Sequence, residues 1–251
     1  MRHIRGKKAL RVVSFLRSRF KVGHILKSID LDQFQKYQRR YDDADPRPHG
    51  YSKYLDIRPW MADKLMHALY LGLDKSRPMK ILDIGTGTGY FPYVCKYFGH
   101  EVVALDLDVV PMYNDLCEFL EIDRRTWRVE KYQKLPDLGL RFDLVTAFMI
   151  KFNQHYSKEQ WATAEWRFML EDLRTNQLNP NGRIFLGFNA NLDGSFYDDE
   201  LRRYFESIGA RIWHNEVDIG GPKQSVLFDV CDRLLGVESP CLLYTSPSPR
   251  D

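Results

Sequence analysis

The run Ile81-Leu82-Asp83-Ile84-Gly85-Thr86-Gly87-Thr88-Gly89-Tyr90 admits few folds. Lys80–Ile84 is short and apolar, as expected for a parallel strand covered on both faces. Glycines at alternate positions then let the backbone turn and approach a ligand where a Cβ would collide. A helix starting near Tyr90 points its partly positive N-terminus at whatever occupies that turn. Glu101–Asp106 follows as a second apolar strand that ends on a carboxylate beside the same crevice. Two carboxylate oxygens suit a pair of ribose hydroxyls, so strand, turn, helix and acid together read as a nucleoside site.

The glycine spacing separates this chain from dinucleotide binders. Those use G-x-G-x-x-G, whereas Gly85-x-Gly87-x-Gly89 brings the third glycine one residue early. With Asp83 two residues ahead, D-x-G-x-G-x-G resembles motif I of the class I S-adenosylmethionine-dependent methyltransferases. Four further segments fall in that family's order: Asp106, Leu135-Pro136 with Phe142–Val145, Leu178–Leu186, and Ser207–Ala210. The resemblance covers roughly Met79 to Val230. It implies a Rossmann-like α/β sheet, mostly parallel with an antiparallel last strand, flanked by helices. Periodicity places helices over Trp60–Leu73, Val109–Leu120, Lys158–Leu173 and Asp199–Ile208. Strands are expected over Arg183–Phe188, Arg211–Glu216 and Ser225–Asp229, the last two joined by a hairpin turn at Gly220-Gly221-Pro222.

The resemblance also implies the cofactor, S-adenosylmethionine, and the residues that hold it. Gly85, Thr86, Gly87 and Gly89 would line the turn, with Tyr90 opening the helix behind it. Asp83 would hold the amino-group region, and Asp106 with Leu107 the ribose. Tyr132 reads either as a wall of the adenine site or as an ordinary strand-end aromatic. Lys131 replaces the acid that the family commonly carries next to it.

On the acceptor side, the loop after the fourth strand holds Asn153 and His155, and that after the fifth Asn189–Asp193. His155 reads as a general base or as a surface histidine ahead of a helix capped by Ser157 and Gln160. Asn153 suits hydrogen bonding to an acceptor or strand capping. No Asn/Asp-Pro-Pro-Tyr, Pro-Cys or metal-ligand cluster occurs there. The expectation is an enzyme methylating an O or N atom of a small molecule, with glycan and lipid precursors among the candidate acceptors. An RNA methyltransferase and a non-catalytic cofactor-binding scaffold stay open as alternatives.

Charge divides the chain. Nine Lys or Arg fall within residues 1–28, and no acid precedes Asp30, although the whole carries only +3. Leu10, Val13, Phe15, Leu16 and Phe20 interleave with those bases. A basic amphipathic helix here suits an anionic membrane, nucleic-acid phosphates or a packed extension alike. Residues 1–57 are therefore expected to form a basic helical extension and linker, and 58–236 the catalytic domain. Residues 237–251 read as a disordered tail, and from Cys241 on they resemble a translated sequencing adapter. Four cysteines without metal spacing, with no long apolar run or leader pattern, suggest a cytoplasmic protein.

Overall fold

The computed structural model describes residues 2–42, 51–149, 160–191 and 193–220. They form two compact units, one reaching Tyr70 and one running from Leu71.

The first unit is helical: α1 (Arg2–Leu26), α2 (Leu31–Asp42), a 3₁₀ turn (Tyr51–Leu55) and α3 (Ile57–Leu71), whose last residue belongs to the second unit. Asp30 starts α2 by accepting the Gln33 amide at 2.9 Å, an N-cap that satisfies one orphan donor of the first turn. Val22 and Ile25 on α1, Phe34 on α2, and Met61 and Leu65 on α3 are buried. Gln38 Nε2 ties α2 to the Leu55 carbonyl at 2.7 Å.

The second unit is a seven-stranded sheet in the order β3-β2-β1-β4-β5-β7-β6. Its strands are β1 (Lys80–Ile84), β2 (Glu101–Asp106), β3 (Asp123–Thr126), β4 (Phe142–Phe148), β5 (Leu178–Gly187), β6 (Arg211–Trp213) and β7 (Glu216–Ile219). β1 to β5 pair in parallel, and β7 runs antiparallel to both β5 and β6. The helices are α4 (Tyr90–Tyr97), α5 (Pro111–Phe119), α6 (Thr163–Asp172) and α7 (Asp199–Ser207). This is the Rossmann-like methyltransferase sheet that the motif order implies. Alternate strand residues Leu82, Val145, Leu186 and Val217 share one core with Trp166 of α6 and Phe205 of α7. The Leu-Pro segment is fastened to that core: Asp172 accepts the Leu135 amide at 2.9 Å, and Gln177 Nε2 donates to the Pro136 carbonyl at 3.1 Å.

Three sequence expectations are corrected. The helix expected from Lys158 begins at Thr163, because Glu165 reaches back to the Ala162 amide at 3.0 Å. The capping pair expected of Ser157 and Gln160 falls at Ser157 outside the described residues; the Gln160 side chain donates to Asn191 Oδ1 at 3.3 Å. β5 starts at Leu178 rather than Arg183: Leu178 pairs with Phe142 across a register shift, so Pro180-Asn181-Gly182 lies within the strand. The strand expected over Arg211–Glu216 is interrupted at His214-Asn215, where His214 adopts φ 53° and the hairpin turns. Among the described residues the last strand is β7, before Gly220; the strand expected over Ser225–Asp229 lies outside the described residues, as do the 241–251 tail and the 43–50 linker.

Candidate cofactor site

The turn after β1 is built from main-chain bonds before any ligand is considered. The Gly85 amide donates to the Leu105 carbonyl at 2.7 Å, which draws the ends of β1 and β2 together. Gly85, Gly87 and Gly89 have φ of 73°, 58° and 76°, a left-handed region that other residues enter only at a cost. Gly89 is also sterically confined. A Cβ there would stand 3.0 Å from Cys117 Sγ and 3.1 Å from Ile122, so its bareness serves the packing of α4 against α5. A Cβ on Gly87 would meet only the Tyr113 ring, at 3.8 Å.

Asp106, half-buried, is held by two backbone donors. Its Oδ2 accepts the Gly87 amide at 2.6 Å, and its Oδ1 accepts the Leu107 amide at 2.7 Å. Each carboxylate oxygen carries a second acceptor position, so one acceptor site per oxygen is left after the loop has been tied. Thr86 Oγ1, in the same turn, is buried without a hydrogen-bond partner. Asp83 is buried one strand over and accepts the Thr146 hydroxyl at 2.7 Å. The open acceptor positions and the Thr86 hydroxyl in a glycine cradle fit the ribose and adjoining chain of a nucleoside such as S-adenosylmethionine.

Cys117 and Arg124 contribute to the site and carry no sequence signal for it. The Cys117 thiol donates to the Gly87 carbonyl at 3.4 Å. Burial pushes its pKa up to about 12, against the opposing pull of Arg124, so it stays a protonated donor. Arg124 donates to the Leu107 carbonyl from β3, holding the residue after Asp106. The Trp127 amide adds a bond to the Asp106 carbonyl at 2.9 Å.

The family model described as a methyltransferase domain matches residues 57–186, more than half of the chain, from α3 into β5. The chain belongs to the class I S-adenosylmethionine-dependent methyltransferases. S-adenosylmethionine is the cofactor of that family. Among solved structures it is similar to the glycopeptide N-methyltransferase MtfA at 16% identity and TM-score 0.39, over 53% of this chain and 54% of that one. It is similar to CalS10, an amino pentose methyltransferase from Micromonospora echinaspora, at 22% identity and TM-score 0.38, over 51% and 50%. A third is Streptomyces venezuelae DesVI, at 13% identity and TM-score 0.46, over 65% and 92%. The chain thus spans about half the length of MtfA and CalS10. No curated protein sequence matches it.

Tyr132 stands apart in its contacts. It is exposed, with φ 58°, and its ring lies edge-on to Phe168 of α6 at 5.8 Å. Desolvation and the neighbouring Glu165 carboxylate, hydrogen-bonded to it, push its phenol up. On the acceptor side Asn191 accepts from Gln160 and donates to Ser195 Oγ at 3.0 Å. His155 and Asn153 lie outside the described residues. Among the described residues, no group of three or more His, Cys, Asp or Glu could hold a metal ion.

Proposed function

We propose that the chain transfers a methyl group from S-adenosylmethionine to an O or N atom of a small-molecule acceptor, with a glycan or lipid precursor as the favoured class. What carries the reading is the Asp106 carboxylate, fixed under the Gly87 amide with an acceptor position open on each oxygen. Asp106 would hold the ribose hydroxyls and Asp83 the amino-group region, with Thr86 and the glycine turn between them. Leu107 and Tyr90 would bound the pocket, and Tyr132 is retained as an adenine-side candidate. When bound, the cofactor supplies an activated methyl on a sulfonium. What falls to the protein is alignment, exclusion of water and, for an O or ring-N acceptor, removal of a proton. We assign that last role to His155, with Asn153 positioning the acceptor.

Two substitutions test these roles. Asp106→Ala should weaken S-adenosylmethionine binding by roughly 1.5–3 kcal/mol, about ten- to a hundredfold in Kd by calorimetry. Asp106→Asn retains one carboxamide oxygen and should fall between the two; wild-type affinity in both variants rules out a ribose at Asp106. His155→Ala should lower turnover by about a hundredfold with unchanged cofactor affinity. Full turnover in that variant removes His155 from the chemistry. Cofactor binding with no turnover on any small-molecule acceptor would favour a scaffold.

A further inference from the structure

One face of the first helix is buried, and the face opposite it is apolar and exposed. Ser14, Ser18, Val22 and Ile25 form a buried stripe along α1. Val12, Val13, Leu16 and Phe20 lie on the opposite side at spacings of three and four residues, and all are exposed, Phe20 at 82% and Leu16 at 50%. A helix that only capped a neighbouring domain would carry polar residues there. Bases border the exposed stripe. Arg17 lies on one flank, and Arg19 on the other with its guanidinium 5.0 Å above the Phe15 ring. Exposed Lys27 continues the line at the helix end. The first acid of the chain is Asp30, beyond the helix.

We propose that this face of α1 docks on an anionic phospholipid surface, lying in the plane of the headgroups. Leu16 and Phe20 would enter the acyl boundary while the exposed Arg19 and Lys27 meet phosphate and serine headgroups. Two features of the surface select this occupant. The helix carries bases and no acid of its own, which is complementary to negative charge, and the apolar stripe beside them gains from hydrocarbon. Nucleic-acid phosphates would use the bases and leave Phe20 in water; a second copy of the chain would bring like charge against like. No described helix is long and apolar enough to cross a membrane, so the contact is peripheral. It does not depend on the catalytic assignment.

The test is co-sedimentation of the full chain with vesicles of roughly 3:1 phosphatidylcholine to phosphatidylserine, against phosphatidylcholine alone. Binding should favour the anionic vesicles and fall with added salt. Leu16→Ser with Phe20→Ser should weaken it at least about tenfold. Arg19→Gln with Lys27→Gln should reduce the preference for phosphatidylserine by roughly fivefold per base. All four positions are exposed, and unchanged melting temperatures would verify that the variants fold. Wild-type binding by the Leu16/Phe20 variant overturns the proposal. So does retention on RNA without vesicle binding, or a dimer in light scattering that the same variant dissociates.

Discussion

Asp218→Ala destabilises the second unit by about 3–5 kcal/mol, the scale for removing one partner of a buried ion pair. Asp218 is buried on β7 and accepts Arg183 in a two-pronged bridge at 2.8 and 3.1 Å. Arg211, on β6, approaches the same carboxylate at 2.6 Å. The Arg183 guanidinium also donates to the Leu71 carbonyl at 3.3 Å. Loss of the carboxylate leaves two cations facing each other in a largely dry setting, which costs more than the attraction alone. The bridge joins three strands, so hydrogen exchange should speed up across β5, β6 and β7 before the β1–β2 pair. A stability within about 1 kcal/mol of wild type would mean that water already screens the cluster. Asp218→Asn keeps the shape and separates charge from packing.

Acidification should loosen the first unit through His67. This histidine on α3 keeps only 13% of its side chain exposed, and desolvation takes its pKa from 6.5 down to about 4. Lys64 and Arg11 push in the same direction, and Asp63 opposes them. The ring donates from Nδ1 to the Asp63 carbonyl at 2.9 Å, the tautomer this contact requires. Between about pH 6.5 and pH 4 the unfolded chain binds a proton that the folded chain refuses. Stability is therefore full above pH 6.5 and is lost as pH falls, by up to about 3 kcal/mol once pH 4 is reached. Denaturation at successive pH values, read by hydrogen exchange at α3, should show that slope. His67→Gln should flatten it; an undiminished slope in the variant assigns the effect to other groups.

Both effects arise from contacts that the chain conceals until it folds. The strands β1 and β2 were legible because each is covered on both faces and reads as an apolar run, whereas β4 was placed by the order of the motifs. β3 was not, since Asp123-Arg124-Arg125-Thr126 is an edge strand with nothing to bury on one side. The β6–β7 turn escaped because His214 takes a left-handed φ that glycine or asparagine usually signals. Trp161 extended the apparent period of α6 upstream, where tertiary bonds hold the chain in another form: Lys131 Nζ to the Gln160 carbonyl, and Gln160 to Asn191. At the site, Asp83, Asp106 and the three glycines were readable because their spacing reports one local turn. Cys117 and Arg124 are brought to that turn by α5 and β3, and no local pattern encodes them.

The rims of the sheet have a consequence for behaviour at high concentration. An unpaired strand edge is a template on which another chain can add, and long apolar edges do so readily. Among the described residues one rim is β3, four residues long with three charges. It offers little flat backbone to seed a growing stack, and an added strand would have to strip water from those charges. Assembly by sheet continuation is thereby discouraged at that end, where the apolar strands β2 and β1 lie behind β3 and out of reach of other copies.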